Sequence, residues 1–255
     1  MCGTCGCGQA DVRVEGAAQH EHEHGPVDIE TALLAKNDHL AGHNRAWLAE
    51  QGIVALNLMS SPGAGKTSLL RRTITELAPR RRVAVIEGDQ ETRIDAEKIR
   101  STGAPVVQIN TGAGCHLDAD MLARGLTELA PPDGSLVFVE NVGNLVGPAL
   151  FDLGEAAKVV VVSVTEGEDK PLKYPYMFAA ADVVVINKID LLPYVDVRLA
   201  QLTEHCHSVN PGVQVLPLSV TTGEGMGAWC DWLLTRGDDQ SDAAPDRVDS
   251  PSGWA

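Results

Sequence analysis

One stretch limits the fold more than any other, the glycine-rich segment at residues 60–68, which reads SSPGAGKTS. It follows an apolar run at residues 53–59 and precedes leucines and an isoleucine at helical spacing. A strand, a glycine-rich turn and a helix in this order hold the phosphates of a nucleoside triphosphate. Backbone N–H groups surround the phosphate oxygens, and the N-terminus of the helix adds a favourable dipole. We therefore predict nucleotide binding rather than an ordinary strand–helix turn.

Six consecutive residues of this loop are the predicted nucleotide ligands. They are Gly63, Ala64, Gly65, Lys66, Thr67 and Ser68. The Lys66 ammonium would reach the outer phosphates, and the Thr67 hydroxyl would bind Mg²⁺. One position departs from the usual G-x-x-x-x-G-K-[ST] pattern, because Ser60 stands where the first glycine is expected. That position needs a tight turn, which a serine adopts only in some subclasses of this loop.

Apolar segments rich in valine and isoleucine recur at regular intervals. They are residues 53–59, 83–87, 106–109, 136–140, 159–164, 183–187 and 213–218. Segments long enough for helices lie between them, such as 69–78, 96–101, 117–129 and 197–206. Strands this uniformly apolar are buried on both faces, which predicts an α/β fold with a mostly parallel sheet and helices on each side. Ligands of such sheets bind at the carboxyl ends of the strands.

Composition divides the chain into four regions. Residues 1–25 are rich in cysteine and histidine, 26–50 have helical spacing, 51–236 form the main domain, and 237–255 are polar and acidic. The last region buries too little apolar surface to order itself, so we expect a disordered tail. The formal charge of −15 argues against nucleic acid or an anionic membrane as the main partner. Without a leader segment or an apolar run of about 20 residues, we expect a cytoplasmic protein.

The first region carries a cluster of candidate metal ligands. These are Cys2, Cys5, Cys7, His20, His22 and His24. In a reducing cytoplasm clustered thiols bind metal more often than they form disulfides, and thiolates suit zinc, copper(I) or nickel. A redox-sensitive tail and a leftover purification tag are the alternatives, although tags usually carry consecutive histidines. His39 and His43, four residues apart, are interpreted as a solvated helix face rather than as ligands.

A short polar motif after the sixth apolar run predicts the choice of base. The sequence NKID at residues 187–190 resembles the guanine-reading motif of GTPases. A carboxylate at Asp190 would accept hydrogen bonds from the N1–H and amino groups of guanine, whereas adenine has no matching donors. Asn187 would buttress the loop, and the Lys188 stem would lie along the purine. A segment beginning at Ser219 resembles the second base-contact loop. GTP is therefore favoured over ATP.

Two acidic residues at strand ends are predicted to act on the triphosphate. Asp89 follows the second apolar run and is the candidate for a Mg²⁺ contact, since hard cations take oxygen ligands. Glu140 ends the fourth run, where GTPases usually carry the aspartate of Asp-x-x-Gly, and Gly143 would let a backbone N–H approach the γ-phosphate. No arginine finger or water-orienting glutamine is obvious, and Arg93 is either a possible finger or a surface residue. We therefore expect slow hydrolysis, with Lys66, Thr67 and Mg²⁺ stabilising charge.

A cysteine and a histidine follow the third apolar run. The sequence TGAGCHL at residues 111–117 is expected to open a helix from which Cys115 and His116 turn outward together. Taken in order, the motifs resemble those of the hydrogenase maturation GTPases that help insert nickel, the HypB type. The motifs are Cys2-x-x-Cys5-x-Cys7, the histidine run, SPGAGKT at 61–67, GAGCH at 112–116, ENVGNL at 140–145, TEGEDKP at 165–171 and NKID at 187–190. The resemblance covers nearly all of residues 1–236.

The resemblance implies a P-loop NTPase of the SIMIBI type that uses GTP, Mg²⁺ and Ni²⁺, with Zn²⁺ as an alternative metal. It implies a homodimer with one metal site in the tail and a second, containing Cys115 and His116, at the subunit interface. The family often has a cysteine after Asn-Leu-Val, where this sequence has Gly147. Lys170 resembles a residue of the family's dimer-interface loop that would reach the nucleotide across the interface.

These expectations combine into a nickel metallochaperone whose dimer closes on GTP and opens on hydrolysis. Closure would change the geometry at Cys115 and His116. Nickel would then pass to a partner nickel-insertion protein or to the large subunit of [NiFe]-hydrogenase. Two alternatives stay open: a nickel or zinc storage protein with an incidental GTPase, and an accessory GTPase for another metalloenzyme such as urease.

Overall fold

A computed structural model describes residues 26–89, 94–112 and 114–238 and contains one seven-stranded sheet. The strands are β1 (Val54–Met59), β2 (Val83–Asp89), β3 (Val106–Asn110), β4 (Leu136–Glu140), β5 (Ala157–Ser163), β6 (Val183–Asn187) and β7 (Gln214–Pro217). Their order is β3-β2-β4-β1-β5-β6-β7, and every neighbouring pair is parallel. Each predicted apolar run overlaps one of these strands, so the predicted parallel α/β sheet is confirmed.

Helices fill the connections between the strands. They are α1 (Pro26–Glu50), α2 (Lys66–Leu77), α3 (Ile94–Arg100), α4 (Ala119–Leu129), α5 (Gly147–Leu150), α6 (Lys170–Lys173), α7 (Pro175–Ala179), α8 (Leu199–Val209) and α9 (Met226–Asp238), with 3₁₀ turns at Val164–Glu166 and Ile189–Tyr194. The region at residues 26–50, for which the sequence shows helical spacing, forms the single helix α1. Helices α5, α6 and α7 were not predicted, because four or five residues are too few to show a helical period.

The core lies on both faces of the sheet because successive strand residues point to opposite sides. On one face, Val85 and Phe138 pack with Trp229 of α9 and with side chains of α2. On the other face, their neighbours Ile86 and Val139 pack with side chains of α1 and α4. Helices α7 and α8 cover the remainder of that second face. Helices on both faces hold the sheet in place. The loops that contain the predicted site residues lie together at its carboxyl edge.

The ends of the chain lie outside the described residues. These ends include the tail ligands predicted at residues 2–24 and nearly all of the predicted C-terminal tail, since α9 ends at Asp238. The region boundaries at residues 25, 50 and 236 therefore stay predictions. Among the described helices, none combines the length and apolar character that crossing a bilayer requires.

Candidate functional site

A cleft of about 510 Å³ lies at the carboxyl edge of the sheet. Eight of the predicted nucleotide and Mg²⁺ residues line it: Gly63, Gly65, Lys66, Thr67, Ser68, Asp89, Glu140 and Lys188. They come from the loops after β1, β2, β4 and β6, which converge because all the strands run in the same direction. The sheet therefore brings together residues that are far apart in the sequence.

The phosphate-binding loop follows β1 and leads directly into α2. Gly65 has a φ of 103°, and a Cβ there would lie only 2.5 Å from Nδ2 of Asn187, so this position requires glycine. Lys66 begins α2, and its Nζ donates to Oγ of Ser60 at 2.7 Å. Burial lowers the pKa of Lys66, against the opposing effect of Glu140. Ser60 does not have a positive φ, so its backbone conformation does not require glycine. The serine that replaces the usual glycine also accepts a hydrogen bond from the Lys66 ammonium.

Carboxylates form the wall of the cleft opposite this loop. Oγ1 of Thr67 donates to Oε1 of Glu140 at 2.7 Å, while Oε2 of Glu140 and Oε2 of Glu87 are buried without a described hydrogen-bond partner. Burial raises the pKa of Glu140, and burial together with the nearby Glu140 raises the pKa of Glu87 to about 8. Unpartnered carboxylate oxygens and a hydroxyl are the donors that Mg²⁺ prefers.

Glu87 was missed in the sequence analysis, which selected Asp89 and Glu140 from the same wall. A signal was available, because Glu87 is a charged residue that directly follows the four apolar residues at the start of strand β2. Its side chain reaches the cleft because the carboxyl ends of β2 and β4 lie side by side, with Glu87 opposite Glu140 in the register. Two glutamates on neighbouring strands therefore face the position predicted for the triphosphate.

The predicted base-reading motif is tied directly to the phosphate-binding loop. Nδ2 of Asn187 donates to the carbonyl of Ala64 at 2.9 Å, and Nζ of Lys188 donates to the carbonyl of Gly63 at 2.8 Å. Lys188 itself has a φ of 63°, in the left-handed region that few non-glycine residues adopt. These contacts fix the distance between the two loops that would hold the ends of one nucleotide.

Asp190 and Ser219 form the other part of this motif. Oγ of Ser219 donates to Oδ1 of Asp190 at 2.5 Å and accepts from the backbone N–H of Thr222 at 3.1 Å. One oxygen of the carboxylate is thus held by the second loop. The sequence predicted both residues near the base, and the structure brings them into direct contact.

Lys170 lies close to its own phosphate-binding loop. Its Nζ is 3.2 Å from Oε2 of Glu166 and 5.0 Å from the centre of the Tyr174 ring. The same Oε2 accepts a hydrogen bond from Oγ of Ser61, while Oε1 accepts from the backbone of Ser163. Within one protomer the lysine is therefore paired, and its predicted reach across an interface requires this ion pair to open.

Cys115 and His116 are adjacent, but their predicted placement at the start of a helix is wrong. Helix α4 begins at Ala119, because the carboxylate of Asp118 caps it by accepting from the backbone of Met121 at 2.8 Å. His116 does not turn outward: it is buried and stacks on Phe151 at a ring distance of 3.9 Å. Burial lowers the pKa of His116, which favours the neutral imidazole that binds metals.

The two side chains form a compact pair. Sγ of Cys115 lies 3.6 Å from Nδ1 of His116. A Cβ at Gly147 would lie 2.9 Å from that Nδ1 and 3.3 Å from Sγ, so position 147 borders both ligands. Residues 26–89, 94–112 and 114–238 contain no cluster of three or more His, Cys, Asp or Glu side chains able to hold a metal. One protomer thus supplies two donors here.

The segment at residues 140–147, called the linking segment below, joins this pair to the nucleotide cleft. At its first end Glu140 accepts from Thr67, and a Cβ at Gly143 would lie 3.2–3.3 Å from Pro62 of the phosphate-binding loop. Further along, Oδ1 of Asn141 accepts from the backbone N–H of Leu117 at 3.0 Å.

The far end of the linking segment reaches the two predicted metal ligands, Cys115 and His116, which are called the metal-ligand pair below. Nδ2 of Asn144 donates to the carbonyl of Cys115 at 3.2 Å, and a Cβ at Gly147 would lie within 3.3 Å of both side chains of the pair. The linking segment therefore lies against both the phosphate-binding loop and the Cys115–His116 pair.

Comparison with known proteins agrees with this geometry. The family profile described as CobW/HypB/UreG, nucleotide-binding domain, matches residues 54–217. The hydrogenase maturation factor HypB of Rhizobium leguminosarum is 55% identical over 226 residues, which cover 89% of this chain and 74% of that protein. The chain belongs to the HypB family of hydrogenase maturation factors. The resemblance drawn from the motifs is thereby confirmed, and with it a nucleotide-binding P-loop fold of the GTPase class.

Solved structures of HypB proteins have the same fold. HypB of Archaeoglobus fulgidus superposes with a TM-score of 0.75 at 39% identity, covering 80% of this chain and 100% of that one. HypB of Helicobacter pylori, solved in complex with nickel, also gives 0.75 at 35% identity, covering 80% of this chain and 96% of that one.

Two buried asparagines of α1 were missed by the sequence analysis of this HypB-family chain. Asn37 accepts from the backbone N–H of Ala119 at 2.9 Å and donates to the carbonyl of Asp152 at 2.7 Å. Asn44 donates to the carbonyls of Ala119 at 2.8 Å and Leu153 at 3.0 Å. Helix α1 therefore fastens the start of α4, just after His116, to the chain just after Phe151.

Replacing Asn44 by alanine is expected to destabilise the protein by about 2 kcal/mol, because buried carbonyls lose a donor and water cannot replace it. Urea denaturation followed by circular dichroism measures the change. Asp38→Ala is the matched control, since Asp38 is exposed on the same helix, and it should shift stability by no more than about 0.5 kcal/mol. Equal effects of the two substitutions would contradict the role assigned to Asn44.

His205, Cys206 and His207 lie next to one another on α8, and only part of this cluster is helix surface. Cys206 is fully buried, and burial raises the pKa of its thiol to about 12. His205 contacts the carbonyl of Glu168 through Nδ1 at 2.7 Å. His207 alone is exposed. In this HypB-family chain the cluster therefore contributes to the core and to the packing of α8, because the spacing places Cys206 on the buried face beside Leu202.

Proposed function

We propose that the protein is a GTP-hydrolysing nickel metallochaperone that delivers nickel during maturation of [NiFe]-hydrogenase. The observation that carries the proposal is the linking segment, which contacts the phosphate-binding loop at one end and Cys115 and His116 at the other. The hydrogenase maturation factors to which the chain is similar, including one solved with nickel, support the choice of cargo. A storage protein would not need contacts between its nucleotide cleft and its metal ligands, so the storage role is not favoured.

In the nucleotide half of the proposal, Lys66 and the loop N–H groups bind the phosphates of GTP and Asp190 reads guanine. Thr67, Asp89, Glu140 and the newly found Glu87 are the residues that would hold Mg²⁺, whose charge would neutralise the triphosphate. We expect hydrolysis to be slow. Lys66 then stabilises the charge that develops on the phosphates.

In the metal half, Cys115 and His116 bind nickel as cargo. Two donors from each subunit of a symmetric homodimer make a four-ligand set that suits Ni²⁺ or Zn²⁺. GTP closes the dimer and hydrolysis opens it. We expect Lys170 to leave Glu166 and reach the nucleotide of the other subunit on closure. The tail ligands from Cys2 to His24 collect nickel in the cytoplasm, and a second nickel-insertion protein or the hydrogenase large subunit receives it.

Substituting Lys66 by alanine is expected to abolish GTP-dependent dimerisation, because the variant lacks the buried ammonium that binds the outer phosphates. Multi-angle light scattering with GTP and Mg²⁺, with and without Ni²⁺, measures the mass of the particle. Arg71→Ala, an exposed change on the same helix, should dimerise like the unmodified chain. If Lys66→Ala dimerises equally well, the nucleotide does not control assembly and the proposed switch is wrong.

A further inference from the structure

Helix α1 presents two histidines on the side away from the domain. Its buried residues, Asn37, Ala41, Asn44 and Leu48, form one stripe that packs on the domain. At 3.6 residues per turn, His39 and His43 lie on the opposite side of the helix, and both are exposed. Neither histidine takes part in the contacts that α1 makes with α4 or with the chain near Phe151.

The two rings meet at the same nitrogen. Nε2 of His43 lies 3.2 Å from Nε2 of His39, and the ring planes are perpendicular at a centroid distance of 4.7 Å. At this distance one Nε2 donates its proton to the other, and a metal ion that replaced this proton would have both nitrogens within reach. A tetrahedral Zn²⁺ with Zn–N bonds of about 2.0–2.1 Å holds two nitrogens about 3.3–3.4 Å apart. The pair therefore already has nearly the spacing of two ligands on one ion.

We propose that His39 and His43 form a two-ligand site for a borderline divalent ion, Ni²⁺ or Zn²⁺, on the outer face of α1. Histidines at positions i and i+4 of a helix are a recurrent way to bind such ions, and imidazole suits both metals. Water or a donor from another molecule completes the coordination. This site is separate from Cys115 and His116, because the buried stripe of α1 lies between the histidines and the domain.

The site has no contact with the linking segment, which distinguishes it from the switch proposed above. Its occupancy is expected to be independent of GTP, so it serves as a point where metal is held on the surface irrespective of the nucleotide. A result that rules out this histidine site would therefore leave the proposed function unaffected. A result that rules out the proposed function would likewise leave the histidine site unaffected.

Histidine footprinting on the full-length chain tests the site residue by residue. Diethyl pyrocarbonate modifies free imidazoles, and mass spectrometry of peptides reports each histidine separately, so ligands in the tail do not interfere. Increasing Ni²⁺, and in a second series Zn²⁺, is expected to slow modification of His39 and His43 severalfold and in parallel. In His43→Gln, an exposed change that leaves the fold intact, His39 should lose this protection.

His207 supplies the internal control, because it is exposed on α8 and has no second imidazole one turn away. It should react at nearly the same rate with or without metal. Protection of His39 that persists in His43→Gln would overturn the proposal, since a single surface imidazole would then account for it. Equal protection of His207, or no protection of His39 and His43 at all, would overturn it as well.

Discussion

Asp190→Asn is expected to lower the affinity for GTP by at least about two orders of magnitude, since a site built to accept hydrogen bonds rejects a mismatched base strongly. In the proposed site the carboxylate would accept from the N1–H and amino groups of guanine, whereas the asparagine amide would present N–H donors to them. Ser219 can still donate to the remaining oxygen, so the loop should keep its shape. Xanthosine triphosphate, which has a carbonyl in place of the amino group, should become the preferred nucleotide.

Fluorescence titration with labelled GTP and competition by xanthosine triphosphate measure this change in preference. Asp196→Asn is the matched control, because Asp196 is exposed nearby and should leave both affinities unchanged. An Asp190→Asn protein that binds GTP as tightly as the unmodified chain would show that the base is read elsewhere.

Gly147→Cys is expected to raise the affinity of the Cys115–His116 pair for Ni²⁺ or Zn²⁺ by at least about tenfold, on the scale that changes around metal ligands produce. A Cβ at this position would lie beside Cys115 and His116, so a thiolate there would add a third donor in each subunit. The 2.9 Å approach of that Cβ to Nδ1 of His116 requires a small shift of the imidazole.

Competition with a coloured chelator measures the affinity in a full-length chain whose Cys2, Cys5 and Cys7 are replaced by serine. Gly147→Ser is the matched control, since it adds a Cβ and an oxygen without a soft donor. Thermal melting of both variants reports any cost of the added atoms to folding. If the cysteine and serine variants bind metal equally, position 147 does not reach the coordination sphere.

The sheet and the nucleotide cleft could be predicted because their signals are local. Valine-rich strands buried on both faces mark a parallel sheet, and the loop around Lys66 has a fixed spacing of glycines and lysine. The order of strands follows from packing between distant segments and could not be obtained from one sequence. Helices α5 to α7 escaped prediction because each is shorter than two turns.

The surroundings of the metal-ligand pair were less predictable. Helix α4 begins later than expected because Asp118, which the sequence analysis did not single out, forms its cap. Burial of His116 depends on Phe151, far away in the chain. The asparagines of α1 looked like ordinary polar residues, although their spacing of seven places both on one face.

In the proposed mechanism, the nucleotide bound at the phosphate-binding loop changes the affinity for nickel at Cys115 and His116 through the linking segment. Isothermal titration of Ni²⁺ tests it most directly, using the full-length chain with serine at positions 2, 5 and 7, loaded with a non-hydrolysable GTP analogue, with GDP or with no nucleotide. The binding heat that is absent when Cys115→Ser is added to this variant is assigned to the metal-ligand pair. We predict that the affinity of this component changes with the nucleotide. Identical nickel binding in all three states would contradict the account.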